Sequence, residues 1–148
     1  MPFHSFDVSA SGLTFERLRM DTISNNIANA NTTRAEDGEP YRRQMVTARP
    51  RGTSFAEHLS HFIKGRDTSS TKGVKATSIV EDDTPFKEVY DPQHPHADPE
   101  TGYVQKPNVN TVNEMTDLIT ASRSYEANVT AMEASRDMAN NILDLGMR

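Results

Sequence analysis

Residues 111–146 read TVNEMTDLITASRSYEANVTAMEASRDMANNILDLG, and this stretch decides the fold. Its apolar and small residues recur at steps of three, four or seven, the spacing of one helix face. They are Met115, Leu118, Ser122, Tyr125, Val129, Met132, Ala139 and Leu143, with Arg136 interrupting the row. Thr111 and Glu114 have the spacing of a capping box, and Gly146 is placed as a C-terminal cap. The pattern predicts a helix of about 35 residues.

A second helix is predicted at the other end of the chain, from Ser9 to about Asn29. Its apolar residues recur every seven positions, with a second row beside them, as in helices that pack side by side. The rows are Phe6, Leu13, Met20 and Ile27, and Ala10, Ile23 and Ala30. The helix is expected to end within the Asn-rich run 25–32, because Asn is a poor interior helix former and a good terminator.

The middle of the chain, residues 37–107, contains most of the Gly and Pro and predicts short strands and turns. The predicted strands are Tyr41–Thr47, Val74–Val80, Phe86–Tyr90 and Gly102–Gln105. Residues 53–64 predict an inserted helix with one apolar face, and Gly65–Gly73 a flexible loop. That face consists of Phe55, Leu59, Phe62 and Ile63.

These elements predict an α+β fold with long N- and C-terminal helices packed as a coiled-coil-like pair, and a small β-rich middle module. The expected division is 1–36 for the N-terminal helix and its Asn-rich end, 37–107 for the middle module and 108–148 for the C-terminal helix. A variable insertion is expected at about residues 48–72.

Composition and charge exclude several functions. The net charge of −5 disfavours nucleic acid, because phosphate contacts require a dense basic surface. The basic cluster Arg42, Arg43, Arg49 and Arg51 is therefore interpreted as a solvated strand and loop. No segment is apolar enough for a transmembrane helix, so no direct membrane insertion is expected, and residues 1–20 lack the apolar region of a cleaved secretory signal.

No group of residues predicts a catalytic, cofactor or metal site. His58 and His61 lie on the inserted helix, and His94 and His96 flank a proline near Asp91 and Asp98. The first pair is better explained as a solvated helix face and the second as a rigid turn. The absence of Cys excludes thiolate sites, and no nucleophile elbow, phosphate loop or HExxH spacing is present.

The two helical seams are narrow, and the C-terminal helix exceeds the other by roughly a dozen residues. An antiparallel pair within one chain would therefore leave several turns of the longer seam uncovered, at a cost of several kcal/mol. Neighbouring copies would cover it. The alternative that periodicity leaves open is an intramolecular helical hairpin on a small β domain.

Three N-terminal stretches, Ser11-Gly12-Leu13, Met20-Asp21 and Asn25 to Thr32, resemble the signature of flagellar rod and hook proteins. Further stretches make the chain most similar to the proximal rod proteins of that family. They are Gly38 to Arg43, Tyr90-Asp91-Pro92 with His94-Pro95 and Ala97, Gly102-Tyr103-Val104, Pro107 to Asn110, Glu114-Met115, Ala121 to Asn128 and Leu143-Asp144. Nothing in residues 48–72 is specific to the family.

The resemblance implies a structural subunit, not an enzyme, that assembles helically with itself and other rod proteins in the bacterial flagellar basal body. It implies uncleaved export through the flagellar type III apparatus, with no cofactor. The terminal helices would form the inner wall of the rod and would fold on assembly, with the middle module outward. The residues expected at the assembly interface are Leu13, Met20, Ile23, Asn25, Asn26, Ile27, Asn29, Asn31, Met115, Leu118, Ser122, Tyr125, Asn128, Val129, Met132 and Leu143.

Two other functions remain open at this point. One is another axial protein, at a different rod position or in the hook, with similar terminal signatures. The other is a monomeric helical-hairpin module that binds a protein ligand. For the Asn-rich run, the interpretation as side-chain amides bonding between subunits stands beside that of a plain helix end.

Overall fold

The structure is a computed structural model that describes residues 3–35, 38–52, 63 and 73–146. Two long helices enclose four short strands in chain order. The elements are α1 (Phe3–Ala28), β1 (Gln44–Pro50), β2 (Val74–Glu81), β3 (Lys87–Tyr90), β4 (Tyr103–Lys106) and α2 (Thr111–Gly146). The predicted α+β fold is confirmed: the two terminal helices pack together, and the middle is β.

The helices are close to their predicted lengths, with two corrections at their starts. Helix α1 begins at Phe3, before the predicted Ser9, because Phe6 and Val8 are half-buried and packing extends the helix beyond its local signal. It ends at Ala28, inside the Asn-rich run. Helix α2 has 36 residues, and Gly146 is its last described residue.

The predicted capping box at Thr111 and Glu114 is wrong. Asn110 caps α2: its Oδ1 accepts a hydrogen bond from the Val112 amide at 3.1 Å. Its carbonyl accepts the Glu114 amide at 2.9 Å. Thr111 is therefore the first helical residue, and the Glu114 side chain makes its bonds elsewhere.

The strands form two separate pairs, β1 with β2 and β3 with β4. The second pair is antiparallel, with Val89 opposite Val104 and Tyr90 opposite Tyr103. In the first pair, the Asp82 amide donates to the Arg43 carbonyl and the Arg51 amide to the Gly73 carbonyl, the order of an antiparallel ladder.

All four strands lie near their predicted positions, but β1 starts three residues late. The predicted Tyr41–Thr47 becomes Gln44–Pro50 because the Arg43 amide donates to the Asn108 side chain instead of a strand. Phe86 lies outside β3, where its ring packs under the Arg42 guanidinium at 4.4 Å. The inserted helix at 53–64, with His58 and His61, and the following loop lie outside the described residues, except for Ile63, which is helical, and Gly73.

The described residues fall into two compact units. Unit 1 is drawn from Met1–Arg17, Ala48–Thr77 and Arg123–Arg148, and unit 2 from Leu18–Thr47 and Ser78–Ser122. Each unit contains one segment of α1 and one of α2. None of the helices among the described residues is long and apolar enough to cross a membrane.

Unit 1 depends on the Ser11-Gly12 pair, where two other elements come close to α1. The Ser11 hydroxyl donates to the Val8 carbonyl at 2.7 Å and accepts the Val74 amide at 3.0 Å, which attaches the start of β2 to the helix. A Cβ on Gly12 would lie 3.0 Å from both polar side-chain atoms of Asn128 on α2. The serine thus anchors the strand, and the glycine leaves room for the second helix.

The facing rows of the two helices are largely small or polar, not apolar. On α1 the row is Ser9, Gly12, Glu16, Arg19, Ile23 and Asn26, and on α2 it is Glu114, Leu118, Ala121, Tyr125, Asn128, Met132, Ser135 and Ala139. All of these residues are buried or half-buried, and their spacing alternates between three and four, as in a coiled coil. In unit 2 the order is antiparallel, because Asn26 contacts Glu114 and Arg19 contacts Asp117.

We predict that Gly73→Ala destabilises the chain by about 2 kcal/mol. Gly73 has a φ of 84°, which L residues rarely adopt, and an added Cβ would overlap Ser11 Oγ. Urea unfolding followed by circular dichroism measures the effect. Gly52→Ala is the matched control, because no atom lies within 4 Å of its Cβ position. Equal unfolding midpoints for the two variants would contradict the close approach.

Candidate functional site

The best-defined polar site lies in unit 2 and is centred on Asn26, which is 1% exposed. Its Nδ2 donates to the Gln44 carbonyl and to Glu114 Oε2, each at 2.9 Å. Its Oδ1 accepts from the Gln44 amide and the Tyr41 hydroxyl, also at 2.9 Å. Every hydrogen-bonding position of this side chain is therefore occupied, which is the condition for burying an amide without a penalty.

Glu114, in the first turn of α2, is also 1% exposed. One carboxylate oxygen accepts from Asn26, and the other accepts from Arg43 Nε at 2.6 Å. A buried carboxylate is tolerated only when it is paired and hydrogen-bonded, and Glu114 is both. It thereby joins α1, the segment before β1 and α2 at one point.

Arg43 binds three carboxylates. Besides Glu114, its guanidinium lies 3.5 Å from Asp82 and 3.6 Å from Asp117. Burial lowers the pKa of Arg43, but the hydrogen bonds and charges of Glu114 and Asp82 outweigh it and raise the pKa above its ordinary value. The interpretation of Arg43 as a solvated residue is therefore wrong, since its side chain is only 24% exposed.

Asn108 and Tyr41 complete this set, which we call the polar network (Asn26, Tyr41, Arg43, Asp82, Asn108 and Glu114). Asn108 Oδ1 accepts the Arg43 amide, and its Nδ2 donates to the Asp82 carbonyl at 3.0 Å. Burial and the negative charges of Glu114 and Glu81 raise the pKa of Tyr41, so its hydroxyl stays a donor to Asn26.

The other asparagines of the Asn-rich run lie at the end of α1 or just after it. Asn29 Nδ2 donates to the Asn25 carbonyl and to Asn25 Oδ1, each at 3.0 Å, and Asn29 Oδ1 accepts from the Thr32 hydroxyl. These local bonds close the helix end. Asn25 and Asn31 are exposed, whereas Asn29 is half-buried.

The other predicted interface residues divide into two groups. One group is buried or half-buried in the chain: Leu13, Met20, Ile23, Ile27, Leu118, Ser122, Tyr125, Asn128, Val129 and Met132. Met115 and Leu143 form the second group, with 52% and 66% of their surface exposed. They belong to what we call the outward row of α2, whose residues each follow by one position a residue of the row facing α1 or of its continuation at the same spacing. Arg136, which interrupts the predicted apolar seam, is also in the outward row.

Several functional candidates were missed from the sequence. Among them are Arg43, Glu114 and Asp82 of the polar network. Arg43 and Glu114 are 71 residues apart along the chain, and Asn26 and Glu114 are 88 residues apart. Helix α2 also exposes further apolar side chains near those predicted, at 56% to 78%. They are Val112, Ile119, Met138, Ile142 and Leu145. The sequence shows Val112 and Ile119 seven positions apart, and Met138, Ile142 and Leu145 four and three apart, but it does not show that these side chains are exposed.

The remaining titratable candidates serve local structure. The His94 ring accepts the His96 amide, and His96 Nδ1 lies 2.8 Å from the Thr33 hydroxyl. Among the residues that the structure describes, no group of three or more His, Asp or Glu side chains is arranged to hold a metal ion. The carboxylates of the polar network are paired with Arg43. The network therefore has a structural role, because it links α1, the segment before β1 and α2.

Comparison with known proteins identifies similar sequences over nearly the whole chain. Two families match: flagella basal body rod protein at residues 6–35, and flagellar basal body rod FlgEFG protein C-terminal at residues 100–145. The chain is 51% identical to flagellar basal-body rod protein FlgC of Bacillus subtilis, with 97% of each chain covered. It is 44% identical to that of Borreliella burgdorferi and 36% identical to that of Escherichia coli O6:H1, with 95% of each chain covered.

We predict that Glu114→Gln costs about 2–4 kcal/mol of unfolding free energy. Both neighbours of the carboxylate are donors, Asn26 Nδ2 and Arg43 Nε, so one of them would face the donor amide of Gln. Denaturant unfolding of Glu114→Gln and of Glu133→Gln, which changes an exposed residue of the same helix, measures the difference in unfolding free energy between the two variants. A shift no larger than that of the control would show that the network contributes nothing.

We predict that Asp82 adds to the acid sensitivity of the fold. Hydrogen bonds from the Thr84 amide and hydroxyl, then Arg43, hold the pKa of Asp82 below its ordinary 3.8. As the pH falls, Asp82 therefore binds a proton in the unfolded chain at a higher pH than in the folded chain. The contribution of ionised Asp82 to the unfolding free energy is present above about pH 4 and is lost as the pH falls further. Unfolding free energies between pH 7 and pH 2.5 should decline less steeply for Asp82→Asn than for the wild type.

Asp83→Asn, at an exposed neighbour, changes the net charge equally and serves as the control for that experiment. Parallel curves for the wild type and Asp82→Asn would refute the role of Asp82.

Proposed function

The chain belongs to the family of flagellar basal-body rod protein FlgC, a structural subunit of the proximal rod and not an enzyme, and on that premise we propose that the outward rows of its two terminal helices join it to neighbouring subunits. Assembly with rod proteins follows from the family. The proposal adds which residues make the contact and that copies of the same chain are among the neighbours.

The observation that supports the proposal is the exposed apolar surface of α2. Met115 in unit 2 and Leu143 in unit 1 are more than half exposed, as are five further apolar residues of the helix. Fully burying such a side chain contributes about 1.5–3 kcal/mol. A set of seven is comparable with the total stability of a small domain, so a neighbour that covers them gains a large association energy.

The interface also contains residues that are only half-buried in the single chain. Leu13, Met20 and Ile27 flank the row of α1 that faces α2, and Ser122 and Val129 flank the matching row of α2. Subunits packed on these flanks would complete their burial. Ile23, Leu118, Tyr125, Asn128 and Met132 lie in the rows where the two helices face each other, and they position the flanking residues.

The asparagines of the Asn-rich run divide between two roles, hydrogen bonding to a neighbouring subunit and shaping the end of α1. Asn25 and Asn31 are exposed and present amides to a neighbour, with Asn29 beside them. Asn26 has no hydrogen-bonding position left for a neighbour, so it acts on the interface by positioning the end of α1.

In the assembled rod, residues 1–36 and 108–148 would form the inner wall, and residues 37–107 would face outward. The subunit would reach its place uncleaved, through the flagellar type III export apparatus, and its terminal helices would fold fully on assembly. The family relationship supports this route, and the apolar side chains that α2 leaves exposed support further ordering of the helices against neighbours.

We predict that Leu143→Asp abolishes rod assembly and motility while the isolated subunit keeps the helix content of the wild-type subunit. The side chain is 66% exposed in the chain, so an aspartate is harmless there but would be buried unpaired in the rod. Swimming assays and electron microscopy of basal bodies measure assembly, and circular dichroism of the purified subunit measures folding.

Asn140→Asp, an exposed polar position on the same helix, adds the same charge and should still swim. Normal rods in the Leu143→Asp strain would remove this surface from the interface.

A further inference from the structure

The outer face of the β3–β4 hairpin in unit 2 carries polar and aromatic residues that are not part of the proposed assembly interface. Because alternate strand residues share a face, the register places Glu88, Tyr90, Tyr103 and Gln105 together. The opposite face carries Val104, which is 1% exposed, so it points into the protein. The two tyrosines remain 65% and 47% exposed.

The two tyrosine rings are held in place although they are exposed. They meet edge to face at 5.4 Å between centroids. Gly102 has a φ of 72°, and a Cβ at that position would lie 2.9 Å from Tyr90 Cε2, so the turn passes directly against the ring. A fixed aromatic surface loses little conformational entropy when a ligand stacks on it.

This face borders an open cleft of about 770 Å³, to which Glu88, Tyr103 and Gln105 contribute. On another wall, the Thr33 hydroxyl bonds His96. Asp98 accepts bonds from the Glu100 amide and the Thr101 hydroxyl, which occupy its two oxygens. By contrast, the side chains of Glu88 and Gln105 have no hydrogen bond to any part of the chain that the structure describes.

Among the described lining residues, Glu88, Gln105 and Tyr103 thus offer a carboxylate, a primary amide and an aromatic ring to a ligand. The carboxylate accepts hydrogen bonds, the amide both donates and accepts, and the ring offers a flat apolar surface. A sugar presents the complementary set, because its hydroxyls donate and accept while its C–H face is apolar. Phosphate and nucleic acid are disfavoured, because among the described lining residues Arg34 is the only Lys or Arg, against Glu88 and Asp98.

We propose that this cleft binds a neutral glycan chain, with a sugar ring stacked on Tyr103 and its hydroxyls bound by Glu88 and Gln105. The inference rests on the proposed function only in that a rod subunit lies within the cell envelope, whose wall contains glycan strands. The stacking ring sets the affinity, and Tyr90 supports it from the side.

The test is a titration of the full chain with a hexamer of β-1,4-linked N-acetylglucosamine, followed by backbone amide NMR signals. Saturable shifts in β3, β4 and residues 95–101 are expected, with a dissociation constant of about 0.1–1 mM. Tyr103→Ala should weaken binding about tenfold and Gln105→Ala about fivefold. Tyr103→Phe, which keeps the ring, should bind as the wild type does.

Ile79→Ala is the matched control, because Ile79 is 49% exposed on the other strand pair, and its binding should be unchanged. The absence of saturable shifts in the wild type, or equal binding by Tyr103→Ala, overturns the proposal. Tyr103→Ala should also assemble rods normally; if it blocks assembly and the hexamer does not bind, the cleft belongs to a protein neighbour. Binding is measured on the isolated chain, so its outcome is independent of the assembly test with Leu143→Asp.

Discussion

The buried pairing of Asn26 with Glu114 is the interaction on which the rest of unit 2 depends. Both side chains are 1% exposed, and each of their hydrogen-bonding atoms is occupied. Through Arg43 the same carboxylate fixes the chain before β1, and through Asn108 the network reaches the Asp82 backbone. A single charged group thus determines how the end of α1, the start of α2 and the β segment between them meet.

The division of surfaces on the helices follows from this polar interior. Because the facing rows contain Ser, Gly, Ala and Asn, the helices approach closely without using most of their large apolar residues. Those residues lie on the flanks or outside, as at Met115 and Leu143. In an ordinary hairpin the largest apolar side chains would occupy the seam. Here the seam specifies the fold, and the large side chains are left for contact with other subunits.

The length and pairing of the helices were predictable from the sequence because heptad spacing is a local pattern. The Ser11-Gly12 and Asn-rich stretches were also recognisable in the sequence, but the sequence did not show which contacts they make. Ser11 holds a strand that begins 63 positions later, and Glu114 was interpreted as half of a capping box although its partners are Asn26 and Arg43. Contacts over such distances depend on tertiary packing, which spacing within one helix does not encode.

The buried polar pair also explains how the helices keep one register. Rows of Ser, Ala and other small residues fit almost equally well after a slip of seven residues, because the heptad repeats. Such a slip would place Asn26 beside Ala121 and would leave the Glu114 carboxylate buried without Asn26. Asn26 would then lie against an apolar residue and the carboxylate would keep only Arg43, and each hydrogen-bonding group left unsatisfied in the interior costs about 1–3 kcal/mol. A polar interior therefore specifies the alignment that an apolar one would leave ambiguous. A rod subunit needs that specification, because its outward rows match a neighbour only when the inward rows are fixed.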